Sequence, residues 1–314
     1  KHDAHCVRFR EEEVEQACSS IRRKHFMDRH GVSIAIVELW AAACPEDAAN
    51  WFSVFLGSTA MVSSCIINGR VLGKCSADSP VDELRAILPM PCEMQISDVL
   101  IAGRLHAHID ATITIPQGCF VGARPRTQAA EIAHGMHMFV EKALDDKSAG
   151  GAAQSDIRTF YDTLRTLRIC RWLPHRGAEV PVIAAALGLQ MFPKVLLHIG
   201  CTHVTINNRS RGGITGSRAA GALGRVPVES IMQSQGVSWQ KWGYPTPLGS
   251  LTVSSYIDNI FSLGKILQAA VEVQEDFEQQ LKAMWGQDIK PSSRSCLKTR
   301  GSIELHASPG KWPL

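Results

Sequence analysis

A charged pair set between two apolar runs constrains this chain more than any other feature. In "LTVSSYIDNIFSLG", residues 251–264, the β-formers Leu251, Val253, Tyr256 and Ile257 lead to Asp258-Asn259, and the chain returns at once to Ile260, Phe261 and Leu263. Asp and Asn tolerate left-handed backbone and bond their own main chain. Two short apolar runs around such a dipeptide predict a β-hairpin that turns at Asp258-Asn259. The pair can be turn chemistry alone, or the turn can hold a carboxylate out for a ligand. The second reading needs another carboxylate elsewhere.

"SDIRTFYDTL" offers one in Asp156, after a small-residue stretch "KSAGGAAQ" that reads as a loop. Asp156 can simply cap a helix. With Asp258 it can also supply the carboxylate pair of a two-metal site, in which ions about 3.5–4 Å apart clamp the attacking and leaving oxygens of a phosphoryl transfer. Mg²⁺ suits such a site, because it takes one or two carboxylates and fills its shell with water and substrate phosphates.

The 314 residues allow one large domain or two or three smaller ones. A formal net charge of +3 permits a nucleic-acid partner without arguing for one, so the electrostatic case rests on local clusters. The ten cysteines form no C-x-x-C pair, which argues against a zinc ribbon or thioredoxin motif and for a reduced, intracellular chain, nuclear or cytoplasmic. His134 and His137 have ligand spacing but no third ligand near them. No signal peptide, membrane span or repeat is seen, and neither a membrane nor a protein partner is expected. The absence of an initiating Met and the trailing "HASPGKWPL" suggest a cut from a longer reading frame.

Along the chain, "REEEVEQACSSIRRKHFMDRHG" predicts a solvated helix. Helical spacing follows in "VSIAIVELWAAAC" and "ANWFSVFLGSTAMV", and "INGRVLGK" is strand-like. Helices are predicted over "EMQISDVLIAGRLHAHI", with Ile96, Val99, Leu100 and Leu105 on one face, and over "RTQAAEIAHGMHMFVEKALDD", with Ile132, Met136, Phe139 and Val140 as a core stripe. "VEVQEDFEQQLKAMWG" is a helix stopped by Gly286. The class is α+β.

Taken in order, these segments resemble the reverse transcriptase of non-LTR (LINE-like) retrotransposons. "SDIRTFYDTL" is similar to the family's palm motif A, and "SSYIDNIFSL" to motif C, the Tyr-x-Asp-Asp box, with Asn259 in place of the second Asp. "RGGITGSRAAGALGRVPVESIM" stands where the Gly-rich motif B belongs. "ELRAILPMPCEMQISDVLIAGRLHAHID" and "GCFVGARPRTQAAEIAHGMHMFVEKAL" resemble the two finger segments, and "FEQQLKAMWGQDIKPSSRSCL" the motif D region. The resemblance covers about residues 70–300. It implies a right-hand polymerase core. Residues 1–60 would be an N-terminal helical extension, 61–150 helical fingers and 151–265 a palm with a small antiparallel sheet. Residues 266–314 would hold the end of the palm and the start of an incomplete thumb.

The implied activity is RNA-directed DNA polymerase, a nucleotidyltransferase using two Mg²⁺ ions, or Mn²⁺ instead, with an RNA template, a DNA primer and dNTP. Asp156 and Asp258 would bind metal through their carboxylates and Ile157 through its carbonyl, with Asn259 completing the catalytic set. Tyr161 would be the steric gate against a 2′-hydroxyl. Arg85, Arg124 and Arg126 would lie near nucleotide or template. Gly213 and Gly216 would let the backbone approach the substrate, and Lys290 would serve as a proton donor to pyrophosphate. Solvated surface charge is the competing reading for each of these cations. Arg209, Arg211, Arg218 and Arg225 cluster around motif B and would meet phosphates.

Three departures stand out. Asn259 removes one negative charge, worth about 4 kcal/mol per close charge pair at an effective dielectric of about 20. Ile214-Thr215-Gly216 replaces the usual Arg-Gln-Gly, and Ala86 stands where Pro follows the finger Arg. With no endonuclease segment ahead of the motifs, these departures suggest a degenerate or truncated copy. Its activity would be impaired, or it would be an inactive remnant that only binds nucleic acid.

Overall fold

The computed structural model describes residues 6–22, 25, 27–28, 30–73, 84–122, 124, 127–207, 209–246, 249–299 and 303–307, with backbone alone for Arg85 and 303–307. In chain order the first half holds α1 (Glu11–Ser19), α2 (Ile34–Ala43), α3 (Pro45–Gly57), α4 (Thr59–Ser64), β1 (Ile66–Gly73), β2 (Leu84–Ile87), α5 (Cys92–Thr112), β3 (Cys119–Val121), α6 (Ala129–Asp145) and β4 (Gly150–Asp156). Then come α7 (Phe160–Thr163), α8 (Thr166–Trp172), α9 (Val180–Met191), β5 (Lys194–Ile199), β6 (Thr202–Ile206), α10 (Arg218–Trp239), β7 (Tyr244–Thr246), β8 (Gly249–Leu251), β9 (Val253–Tyr256), β10 (Asn259–Gly264), α11 (Leu267–Gln280), β11 (Ser295–Thr299) and β12 (Ile303–Ala307). The class is α+β. Two compact units divide the chain, residues 1–108 with 166–223 and residues 109–165 with 224–314. Each is assembled from two separated segments, a division that consecutive stretches of sequence do not express.

The first unit packs α1, α2 and α3 together and carries a four-stranded sheet of order β2-β1-β5-β6. Ser33 starts α2 by accepting from the Ile36 N–H, and Pro45 opens α3, where its missing donor costs nothing. The expectation of a solvated helix near the start needs correction. Among the described residues of that segment only Glu11–Ser19 is helical, and it buries Val14, Ala17 and Cys18 while its glutamates line the first turn. An amphipathic helix hides a narrow apolar stripe that a charge count obscures.

The second unit is built on a six-stranded sheet of order β12-β11-β4-β10-β9-β3. The sheet expected to be small and antiparallel has six strands, and its edge pair β3–β9 is parallel. β3 enters from α5 and not through a hairpin, so no tight turn forces it antiparallel. A second correction concerns "KSAGGAAQ". It is largely β4, at the centre of the sheet. Gly150 leaves room for Phe139 and Thr299, and Gly151 is required because α11 lies very close. A Cβ on Gly151 would sit 2.2 Å from the Leu267 Cα. Ala153 packs with Ala270, Val271 and Cys296 on that face, while Ala152 packs with Phe139, Ala143, Tyr244 and Leu263 on the other. α11 therefore covers one face and α6 covers part of the opposite one. The predicted stripe of α6 points inward as expected, with Ile132 and Phe139 buried. α11 ends in a wider turn, Leu281–Trp285, and Gly286 stops it at φ +63°.

Candidate active site

The carboxylates sit at one end of the six-stranded sheet. β9 and β10 form the predicted hairpin, but the turn is Ile257-Asp258, one residue earlier than the sequence suggests, and Asn259 is already paired in β10. Ile257 takes the left-handed conformation at φ +57°. A β-branched residue rarely adopts that region, and strain of about 1–3 kcal/mol at such a position has to be repaid by neighbouring contacts.

In the β10–β4 register, Asn259 faces Asp156 directly, and the Ile157 N–H donates to the Asp258 carbonyl at 2.8 Å. Directly paired residues project to the same face, and alternate residues of a strand share it. Gln154, Asp156, Asn259 and Phe261 thus lie on one face, all half-buried, while Ser155 and Ile260 are buried on the face towards α11. The Asn259 side chain joins the group. Its Nδ2 donates to Asp258 Oδ1 at 3.2 Å, and Gln154 Nε2 donates to its Oδ1 at 3.5 Å. Oδ1 of Asp156 is shielded from water.

The strand end is braced from the C-terminal side. The Asp156 N–H donates to Ser293 Oγ at 2.9 Å, the Lys290 N–H to the Asp156 carbonyl at 2.8 Å, and the Arg158 N–H to the Asp288 carbonyl at 2.9 Å. Lys290 is thereby registered beside Asp156 through its backbone. On the far face, Gln274 Nε2 donates to Ser155 Oγ at 2.7 Å and Ser262 Oγ donates to Gln274 Oε1 at 2.5 Å, which ties β4, β10 and α11 together with satisfied buried polar groups.

Tyr161 stands in α7 just beyond β4, half-buried and edge-on to the buried Phe160 ring, with centroids 5.1 Å apart. Burial pushes its phenol above the ordinary pKa, and the charges of Asp258 and Tyr256 push the same way. Asp156, Ile157, Asp258, Asn259 and Tyr161 come together at this end of the sheet, with the Lys290 backbone beside them.

The remaining predicted residues fall elsewhere. Arg124 Nη2 donates to the fully buried Glu229 at 2.9 Å, and Arg225 Nε holds the other oxygen of that carboxylate at 2.6 Å. Arg126 lies outside the described residues. Arg85 pairs with Leu72 in the four-stranded sheet of the first unit. Gly213 and Gly216 flank a turn in that unit; Gly213 is buried, and Gly216 requires its glycine at φ +90°. That turn is anchored within its own unit. Gln190 Oε1 accepts from the Ile214 N–H at 2.7 Å, and the buried Asp98 carboxylate accepts from the Arg218 N–H at 2.6 Å and the Ala219 N–H at 3.1 Å.

Gln154 and Ser293 are the participants that sequence reasoning missed. Alternation from Asp156 could have found Gln154, whereas Ser293 reaches the site through tertiary folding across 137 residues. Among the described residues no three His, Cys, Asp or Glu side chains cluster as a ready-made metal cage.

The sequence matches no protein-family description and no curated protein. The fold is similar to that of apo telomerase from Candida tropicalis, truncated from its C-terminal domain, with a TM-score of 0.52 at 8% sequence identity. The likeness covers 77% of this chain and 55% of the telomerase chain, so this chain spans about half the length of that structure. Among the described residues no helix is long and apolar enough to cross a membrane.

Proposed function

We propose that the chain is a polymerase core of the reverse-transcriptase type, derived from a LINE-like retroelement, that performs nucleotidyl transfer on a nucleic-acid template. The β10–β4 register carries this reading. It sets Asn259 opposite Asp156 and Asp258 at the adjoining turn, at the end of a sheet in a fold like that of a telomerase.

The donor set fits Mg²⁺ better than a softer metal. It offers two carboxylates and a backbone carbonyl, all oxygen, and leaves the rest of the shell to water and phosphates. Asp156 and Asp258 would hold the ions with the Ile157 carbonyl. Bound there, they would supply charge neutralisation at the phosphoryl group being transferred. Ser293, Lys290 and Asp288 fix the backbone that presents Asp156. Tyr161, in α7 just beyond the Asp156 strand, would be the ring that excludes a 2′-hydroxyl. The RNA template, DNA primer and dNTP follow from this reading. Arg124 serves it indirectly, as part of the Glu229 ion pair.

One observation favours the binding-only alternative. The Asn259 amide donates to Asp258 Oδ1, an oxygen a metal would use, and adds no charge of its own. Asn259→Asp separates the two readings. Primer extension on an RNA template should rise in the variant with Mg²⁺ present if the site is an impaired enzyme. Mg²⁺ titration by calorimetry should show tighter binding in the same variant. Extension that stays at background while Mg²⁺ binds normally would leave nucleic-acid binding as the function.

A further inference from the structure

Four arginines surround the Gly-rich turn in sequence, and they differ in how their charge is met. Arg218 donates from Nη1 to Ser20 Oγ at 3.0 Å and from Nη2 to the Ser20 carbonyl at 3.1 Å. Arg225 is buried but meets Glu229 and Asp110. Arg211 is exposed to solvent. Arg209 is the exception. Its Nε and Nη2 are buried, and no hydrogen-bond acceptor meets either atom. Burial alone pushes its guanidinium down to about 10. A half-buried guanidinium with two shielded nitrogens and no counter-charge carries a desolvation cost, and native proteins seldom keep one without a use.

The setting indicates the use. Arg209 lies three residues beyond the end of β6 and just ahead of the Gly212–Gly216 turn. The strands of the four-stranded sheet contain no Asp or Glu, and they carry Arg70, Arg85 and Lys194. Arg70 and His198 are cross-strand partners, as are His198 and His203, and all three are exposed. An anion approaching this sheet meets no strand carboxylate to repel it.

We propose that the half-buried Arg209 is the anchor of a phosphate-binding site, and that its natural ligand is one phosphodiester of a nucleic-acid strand laid along the four-stranded sheet. A single guanidinium neutralises one charge, which matches a phosphodiester and falls well short of a nucleoside triphosphate. The inference rests on the polymerase reading for the identity of the strand, while the unmatched charge stands on the structure of the first unit.

The experiment uses the full chain, with Arg209→Met and Arg209→Lys beside it. Melting temperature is measured without ligand and with inorganic phosphate. Affinity for a fluorescein-labelled single-stranded oligonucleotide is measured across a salt series. Relief of an unpaired buried charge should raise the ligand-free Tm of Arg209→Met by about 2–4 °C. Phosphate should stabilise the native protein and Arg209→Lys more than Arg209→Met. Oligonucleotide affinity of Arg209→Met should fall about tenfold, and its slope of log affinity against log salt should shrink by about 0.7, the increment for one single-strand phosphate contact.

A lower Tm in Arg209→Met, or an unchanged affinity and slope, would overturn the inference and make the guanidinium a structural group. Neither result would touch the Asp156 site, whose Mg²⁺ titration is read separately. Loss of Mg²⁺ binding at that site, with the Arg209 effects intact, would sink the polymerase reading and leave the phosphate site standing.

Discussion

The two sheets of this protein are built on opposite chemical plans. The six-stranded sheet is covered by α11 on one face and in part by α6 on the other, and its uncovered end gathers Asp156, Asp258 and Asn259. The four-stranded sheet has no acidic residue in its strands and leaves Leu72, Ile87, Ile199, Val204 and Ile206 exposed. One plan spends close packing and several backbone hydrogen bonds on presenting negative charge. The other keeps a loosely covered surface free of it. Under the proposed function the acidic end would hold cations and the other sheet a polyanion, and like charges on both sheets would serve only one of those tasks.

The sharpest way to break this comparison is at the carboxylates. Asp156→Asn should reduce metal-dependent nucleotidyl transfer about 10³-fold or more, and abolish Mg²⁺ binding by calorimetry, if the six-stranded sheet presents a metal site. Undiminished Mg²⁺ binding would mean that its acidic end is ordinary surface.

Packing provides the next largest effect. Gly151→Ala forces a Cβ to within 2.2 Å of backbone in α11 and should cost about 3 kcal/mol in urea unfolding, near the upper end of overpacking penalties. A variant as stable as the native chain would show that the strand and helix can separate.

A smaller effect tests the neighbourhood of Tyr161. Its raised pKa means that the folded state holds the phenolic proton more tightly than the unfolded chain does. The matching stability is fully present below the ordinary tyrosine range and is lost as pH rises through the folded value. Asp258→Asn removes the second cause of that rise, so ultraviolet titration of the phenol should show Tyr161 ionising at lower pH, though still above ordinary because burial remains. An unmoved titration would separate Tyr161 from the hairpin.

The smallest effect belongs to the open sheet. Val204 is 51% exposed on edge strand β6, and Val204→Thr should change unfolding free energy by less than about 0.5 kcal/mol. A cost of 2 kcal/mol or more, far outside that range, would mean that the strand is covered in the folded protein.

The α+β class, the hairpin at 251–264, the core stripe of α6 and the stop at Gly286 all follow from local pattern, because apolar periodicity and turn chemistry act over a few residues. The two segments singled out by their carboxylates do adjoin in the sheet, with Asn259 opposite Asp156 and Asp258 at the neighbouring turn. What could not be read locally is the register that joins them. "KSAGGAAQ" has the composition of a loop, and only the close approach of α11 makes its small side chains a requirement of a central strand. The turn shifted by one residue because strand pairing placed Asn259 opposite Asp156, and Ile257 was left to absorb the backbone strain. Arg225 and Arg209 look alike in sequence, yet burial gave one two carboxylates and the other none. By itself the sequence determined which residue types were available and where the chain could turn. The tertiary structure decided which of them meet, because register, burial and charge pairing depend on groups a hundred or more residues apart.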